Sequence, residues 1–217
     1  YLPAQIFEIW NEENSVTFWS SGPDPKRYAN LYLAARHAIR EVDPSASVIV
    51  GGLTTNGGSY DVHRDSAGRF VKGMLAAVHA LRGRVDGFGF HPYGSGPQDV
   101  LNWVVHFRQV LDSLGESSAP IDITEFGWPA GDIATEALRA SSMRYLGLEL
   151  AHSNCGIRLL APYDWINPLV ADEPGDFGFV DRTGLDTTLR PAGLGWFQGL
   201  AQAATRPKVL LCTTPNR

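Results

Sequence analysis

Two glutamates stand at the ends of apolar runs, each at a point where the chain turns polar. Glu12 follows Asn11 at the end of the run 7–10, and Glu125 closes the run 121–124 just before a Gly/Pro loop. The carboxyl ends of parallel strands meet at one edge of a sheet, and this edge commonly holds an active site. The two runs therefore predict two carboxylates that are delivered by two different strands to one site.

A pair of carboxyl groups can cleave a glycosidic bond by double displacement. One group acts first as an acid and then as a base, while the other is the nucleophile, and the two lie about 5 Å apart. Glu12 and Glu125 are the candidates for these roles. The alternative is that each is a surface residue or an ion-pair partner, but their paired contexts favour catalysis.

The elements that must position these residues alternate between strand and helix five times. Such alternation predicts parallel βαβ units with right-handed crossovers. The predicted strands are 4–10, 47–50, 85–90, 121–125 and 157–165, and the predicted helices are 25–43, 68–81, 100–114, 134–151 and 191–203. We interpret the Gly/Asp-rich stretch 167–188 as a long loop, and we place a C-terminal capping glycine at Gly115.

The two strand ends resemble those of the clan A glycoside hydrolases, in which Asn-Glu closes barrel strand 4 and a lone Glu closes strand 7. Five stretches of the chain carry the resemblance. The stretch 7–14 with Phe18-Trp19, and later Val42-Asp43-Pro44, is most similar to the family of β-xylosidases, α-L-iduronidases and bacterial exopolysaccharide hydrolases. The stretches 177–181 and 190–192 resemble the closing part of many barrels of this clan.

This resemblance implies an incomplete (β/α)8 TIM barrel. Residues 1–217 would form a single partial catalytic domain that contains strands 4 to 8 and lacks strands 1 to 3. It also implies a retaining glycosidase in which Glu12 is the general acid/base and Glu125 is the nucleophile. No cofactor and no metal are implied.

Strand alternation predicts which side chains point into the barrel, because every second residue shares a face. We expect two sets to point inward, namely Ile121, Ile123 and Glu125 on one strand and Leu159, Ala161, Tyr163 and Trp165 on another. Glu8 has the same parity as Glu12, and we interpret it as a structural residue.

The resemblance also implies a set of substrate-binding residues. Asn11 would bind the sugar 2-hydroxyl, although a strand-capping amide is the alternative. His91 and Tyr93 would lie near the nucleophile, where a phenol hydrogen bond would keep Glu125 ionised, although either could be packing.

Three tryptophans complete the set of candidate sugar-binding residues. Trp165 matches the floor of the sugar subsite, and the resemblance implies a cis peptide bond after it. Trp128 and Trp19 are further candidates, for which packing in the core or at the rim is the alternative.

One residue departs from the family's pattern inside the Asn-Glu stretch. Glu13 stands where a proline usually follows Asn-Glu, and a third carboxylate there would favour the protonated form of Glu12, which suits an acid. The absence of strands 1 to 3 also removes the polar residues that would build one wall of the cleft.

Composition narrows the class of partner. The net charge is -5 with scattered Lys and Arg, which argues against nucleic acid and membrane surfaces and fits a neutral sugar. No apolar run approaches the roughly 20 residues that span a bilayer. Cys155 and Cys212 have no metal-binding spacing, and buried thiols are favoured over a single bridge. A secreted or extracellular location is compatible with these features.

Two functions of different classes remain open on the sequence. The first is a retaining β-glycosidase that acts on oligosaccharide or polysaccharide, and the second is a carbohydrate-binding or scaffold half-barrel with little turnover. Since five strands cannot close a barrel, we expect a homo-oligomer or a complementing segment to cover the open strand edges.

Overall fold

The computed structural model describes residues 5–55, 57–130, 133–166, 176–183 and 186–212. Five parallel strands form one sheet in the order β1-β2-β3-β4-β5. These strands are β1 (Ile6–Asn11), β2 (Ser47–Thr54), β3 (Phe88–His91), β4 (Ile121–Ile123) and β5 (Ile157–Leu160). The sheet does not close on itself, which confirms the predicted incomplete barrel.

Five helices connect or follow these strands, as the alternating pattern predicted. They are α1 (Pro25–Val42), α2 (Ser66–Ala77), α3 (Pro97–Ser113), α4 (Ile133–Ala151) and α5 (Pro191–Ala203). Asp24 caps α1 by accepting hydrogen bonds from the backbone N–H groups of Lys26 and Arg27, and Pro25 occupies the first turn. Gly115 follows α3 with a φ of 83°, as expected of a C-terminal capping glycine. In the described part of the chain, no helix is both long and apolar enough to cross a membrane.

The hydrophobic core lies between the sheet and the helices. Ile121 and Ile123 are fully buried in this core, and Phe90 of β3 stacks on Phe107 of α3 with ring centroids 4.2 Å apart. The prediction that Ile121 and Ile123 point into the barrel is therefore wrong. The apolar residues of β4 are needed to cover the helices, so the polar Asp122 between them faces the concave side, where Arg158 pairs with it.

The second set of predicted inward residues also needs correction. β5 ends at Leu160, so Ala161, Tyr163 and Trp165 lie beyond the strand and its alternation does not apply to them. Leu159 is 37% exposed.

A short antiparallel hairpin occupies part of the stretch interpreted as a loop. It consists of β6 (Val180–Thr183) and β7 (Asp186–Leu189), which pair from Val180↔Leu189 to Thr183↔Asp186. Residues 167–175 and 184–185 of that stretch lie outside the described residues. The hairpin leads directly into α5.

A disulfide joins Cys155, just before β5, to Cys212, with their Cα atoms 5.2 Å apart. Both residues are buried. The expectation of buried free thiols is therefore wrong, and the alternative of one bridge is correct. The two residues are 57 positions apart, and only the packing of the C-terminal stretch beside residues 152–154 brings them together.

Strands β1 and β5 form the two free edges of the sheet. Their apolar side chains are partly open to solvent, since Ile6 and Leu159 are each 37% exposed and Trp10 is 53% exposed. These edges mark the place where the barrel is open.

Candidate active site

The end of β1 has an unusual backbone that presents Glu12. Trp10 and Glu12 have φ values of 76° and 45°, a region that non-glycine residues rarely adopt and that occurs mainly where function or packing holds it. The N–H of Glu12 donates to the carbonyl of Gly52 at 3.1 Å. Asn14 fastens the following loop, because its side chain both donates to and accepts from the backbone of Thr54.

The structure brings the two predicted glutamates together around His91. His91 Nδ1 lies 3.0 Å from Glu12 Oε1 and 3.6 Å from Glu125 Oε2. The facing atoms of the three side chains all lie within 4.8 Å of one another. This spacing agrees with the expected separation of about 5 Å and is shorter than the roughly 6.5 to 9.5 Å of carboxyl pairs that hold a water between them.

Tyr93 holds the other side of Glu125. Its hydroxyl donates to Glu125 Oε2 at 3.0 Å. Burial, followed by the negative charge of Glu125, raises the pKa of Tyr93 well above its ordinary value, so the phenol keeps its proton. A neutral phenol donor stabilises an ionised carboxylate, as a nucleophile requires.

Two glycines of β2 make room for this arrangement. A Cβ at Gly52 would overlap the imidazole ring of His91, and one at Gly51 would overlap the carboxylate of Glu13. Position 52 must therefore lack a side chain, because the ring of His91 occupies that space when it contacts Glu12. Strand β2 runs through both glycines to Thr54, four residues beyond the predicted strand 47–50.

Glu13 lies behind the site and is completely buried. Neither of its carboxylate oxygens has a hydrogen-bond partner among the described residues. Burial raises its pKa from 4.5 to about 8, so it is neutral near pH 7. The expected like-charge effect of Glu13 on Glu12 is thus absent at neutral pH, because a protonated carboxyl carries no charge.

Glu12, His91 and Glu125 are also the one group within the described ranges whose His or carboxylate atoms are spaced closely enough to share a cation. Their short contacts are accounted for without one. Glu12 pairs with His91, and Glu125 accepts from Tyr93. We interpret Glu12 and Glu125 as two carboxyl groups held by hydrogen bonds to His91 and Tyr93 rather than as metal ligands.

Asn11 and Trp128, two further predicted residues, lie on segments next to the two glutamates. Asn11 ends β1 in register with Gly52, directly before Glu12. Trp128 donates its indole N–H to the carbonyl of Gly94 at 2.6 Å, which holds the ring near the loop that follows Tyr93. The role of both residues in sugar binding stays a prediction.

Trp19 belongs to a separate cleft. Its ring meets that of Trp10 edge-on at 5.6 Å, and the two share with Phe18 and Arg27 a cavity of about 320 Å³. Among the described residues, the lining of this cavity does not include Glu12 or Glu125. Trp19 therefore lines a cleft apart from the two glutamates, and its role in sugar binding stays a prediction.

Trp165 is 58% exposed, and its ring lies edge-on against Phe197 of α5. The expected cis peptide bond after Trp165 is wrong in position, because the cis bond in the described residues joins Tyr163 to Asp164. Whether Trp165 contacts a sugar stays a prediction.

Comparison with known proteins supports the resemblance over part of the chain. No family model matches the chain. The chain is 28% identical over 149 residues to a β-xylosidase of Geobacillus stearothermophilus, a match that covers 63% of this chain and 29% of the relative.

Solved structures share the fold. A GH39 enzyme from Xanthomonas axonopodis pv. citri has a TM-score of 0.65 at 20% identity, covering 94% of this chain and 41% of that one. A monomeric β-xylosidase from Caulobacter crescentus CB15 has a TM-score of 0.62 at 20% identity, covering 88% of this chain and 40% of that one.

The chain therefore spans less than half the length of each of these proteins. Its sequence resembles that of a β-xylosidase over 149 residues, and its fold is an incomplete version of the barrel seen in glycoside hydrolases.

Proposed function

We propose that this chain carries the catalytic half of a retaining glycoside hydrolase that acts on β-linked oligosaccharide or polysaccharide. The proposal treats residues 1–217 as one partial catalytic domain that corresponds to strands 4 to 8 of the barrel. One observation carries this proposal: side-chain atoms of Glu12 and Glu125 lie within 4.8 Å of each other. The two residues follow β1 and β4, at the C-terminal ends of the parallel strands.

The reaction would proceed in two displacements. In the first, a carboxylate oxygen of Glu125 bonds to the anomeric carbon while the glycosidic C–O bond breaks and Glu12 gives its proton to the departing oxygen. In the second, Glu12 takes a proton from water, whose oxygen attacks the anomeric carbon and releases Glu125 as a carboxylate. The contacts of the two residues match these roles, because Glu125 faces a neutral phenol donor and Glu12 faces an imidazole.

A trapped intermediate tests this proposal directly. The purified chain would be incubated with a panel of 2-fluoro-glycosides, including the xyloside, and then measured by intact mass spectrometry. We expect one glycosyl group per chain, located on Glu125 by peptide mapping, because the 2-fluoro group slows the second displacement. An adduct on another residue would contradict the assignment of the nucleophile.

A binding role without turnover is the second candidate. The open edges of the sheet favour it, because Glu8 on the concave face is exposed and one wall of a cleft has no source in the described residues. In that case, the chain would bind oligosaccharide in calorimetry but would not be labelled by any member of the panel.

We also propose that the open edges associate with a second copy of the chain or with a complementing segment. Parallel sheets are normally covered on both faces, whereas β1 and β5 leave Ile6 and Leu159 partly exposed. Light scattering at micromolar concentration is expected to show a dimer or larger species. A stable monomer that remains soluble at high concentration would contradict this proposal.

The disulfide indicates the kind of compartment in which the protein works. Disulfides persist mainly in oxidising compartments, so the Cys155–Cys212 bridge supports a secreted or extracellular protein.

A further inference from the structure

A chain of hydrogen bonds runs from the catalytic centre to a third carboxylate, that of Glu8 in the middle of β1. His91 uses both ring nitrogens, because Nδ1 lies 3.0 Å from Glu12 Oε1 and Nε2 lies 3.1 Å from Thr124 Oγ1. The hydroxyl of Thr124 in turn donates to Glu8 Oε1 at 2.9 Å. Four side chains from three strand regions therefore form one continuous path.

The path depends on glycines in the sheet, which leave space for its side chains. A Cβ at Gly89 of β3 would overlap Glu8 Oε1, so glycine at this position lets the carboxylate lie across the concave face toward Thr124. Gly52 does the same for His91 at the other end. Both ends of the path thus depend on glycines in neighbouring strands.

The direction of the hydrogen bonds follows from the chemistry of each group. An ionised Glu8 can only accept, so it takes the single hydroxyl proton of Thr124. The oxygen of Thr124 must then accept from Nε2–H of His91. In a neutral imidazole this leaves Nδ1 without a proton, and Nδ1 can only accept from Glu12.

We propose that Glu8 is a positioning residue that acts through Thr124 and His91 to keep the catalytic proton on Glu12. The expected effect on kcat rests on the proposed glycosidase function, whereas the expected tautomer of His91 does not. In the first displacement, Nδ1 has no proton to donate, so the proton stays on the Glu12 carboxyl group until the departing oxygen takes it. In the second, Nδ1 donates nothing to the ionised Glu12, so its oxygens stay free to take the proton of water.

The opposite direction of the path requires a proton on Glu8. Glu8 would then donate to Thr124, Thr124 to Nε2, and Nδ1–H to an ionised Glu12. The change from this state to the first one moves one proton from Glu8 to Glu12. Thr124 and His91 each accept one proton and release one. Desolvation raises the pKa of Glu8 although the residue is partly open to solvent, and Glu125 and Asp122 raise it further, against the lowering effects of Thr124 and His91.

Other charged groups near the path belong to the same face. Glu8 is faced by His91 from β3 and by Asp122 and Glu125 from β4 and its end. Asp122 is paired with Arg158 of β5, with Arg158 Nη2 2.6 Å from Asp122 Oδ2. Glu13 lies behind the strand and is neutral at pH 7.

The tautomer of His91 tests the proposal without any need for turnover. Long-range ¹H–¹⁵N spectra of the histidine rings are expected to show His91 protonated on Nε2 in the wild type near neutral pH. Thr124→Val removes the acceptor for Nε2–H, and Glu8→Leu frees the Thr124 hydroxyl to donate to Nε2. Both variants should therefore shift His91 to the Nδ1–H form.

Two controls separate this effect from a change in packing. Thr124→Ser keeps the hydroxyl and should keep the wild-type tautomer, whereas Glu41→Leu on the exposed face of α1 should leave it unchanged. Thermal unfolding would show that each variant is folded. A wild-type His91 protonated on Nδ1, or a tautomer unaffected by both Thr124→Val and Glu8→Leu, would overturn the proposal.

The kinetic consequence appears in the pH profile. With any glycoside that the chain hydrolyses, the alkaline limb of kcat should move to lower pH in Thr124→Val and Glu8→Leu, with a loss on the order of tenfold above the optimum, and return in Thr124→Ser. A purely structural role would lower activity equally at every pH. Failure of the proposed function would appear as a lack of turnover in all proteins, while the tautomer measurement would still decide the role of Glu8.

Discussion

Replacement of Glu125 by glutamine is expected to lower kcat by about 10⁴-fold or more, because the amide cannot form the covalent intermediate. The variant should also fail to acquire a label from 2-fluoro-glycosides. Its fold should be preserved, since glutamine has the same shape and can still accept the hydrogen bond of Tyr93, which lies 3.0 Å from Glu125 Oε2. Initial rates and intact mass measure the two effects on the same protein sample.

The matched variant Glu12→Gln separates the two carboxylates by role. Loss of the acid/base should cost roughly 10² to 10⁴-fold with a poor leaving group and much less with a leaving group that needs no proton. Labelling of Glu125 should persist with an activated 2-fluoro-glycoside. Glu41→Gln on the exposed part of α1 serves as a control for the substitution itself. If Glu12→Gln and Glu125→Gln lost activity equally with every leaving group, the division of roles would be wrong.

Replacement of Glu13 by glutamine is expected to change how the free energy of unfolding depends on pH. Burial raises the pKa of Glu13 from 4.5 to about 8. Between these values, the folded protein retains a proton that the unfolded chain has lost, so the stability contributed by this group falls as pH rises. Each pKa unit corresponds to about 1.4 kcal/mol, so the loss across the window amounts to several kcal/mol.

Glu13→Gln should therefore match the wild type in stability near pH 4 and exceed it near pH 8, since a buried neutral amide has no proton to lose. Urea unfolding at several pH values measures the difference. Glu41→Gln, which changes an exposed carboxylate, should leave the slope unchanged. A wild-type slope that persists in Glu13→Gln would show that Glu13 is charged in the folded protein and has found a partner.

The sequence alone predicted the alternation of five strands with five helices, and it predicted that Glu12 and Glu125 would lie close together. Strands and helices follow from local periodicity, and all five predicted strands and all five predicted helices occur. The second strand continues to Thr54 and the fifth ends at Leu160, and the hairpin of β6 and β7 was not predicted. Glu12 and Glu125 could be found because a carboxylate that ends an apolar strand is a local feature, and because parallel strands end at one edge of a sheet.

Only the tertiary structure decided how these glutamates are held. The contact between His91 and Glu12 joins residues 79 positions apart, and the space for it depends on the absent side chain of Gly52 on a third strand. The burial of Ile121 and Ile123 against the helices was likewise missed. The bridge between Cys155 and Cys212 was expected only as the alternative to buried thiols. Each depends on which surfaces meet after folding, and local pattern carries no information about contacts between distant segments.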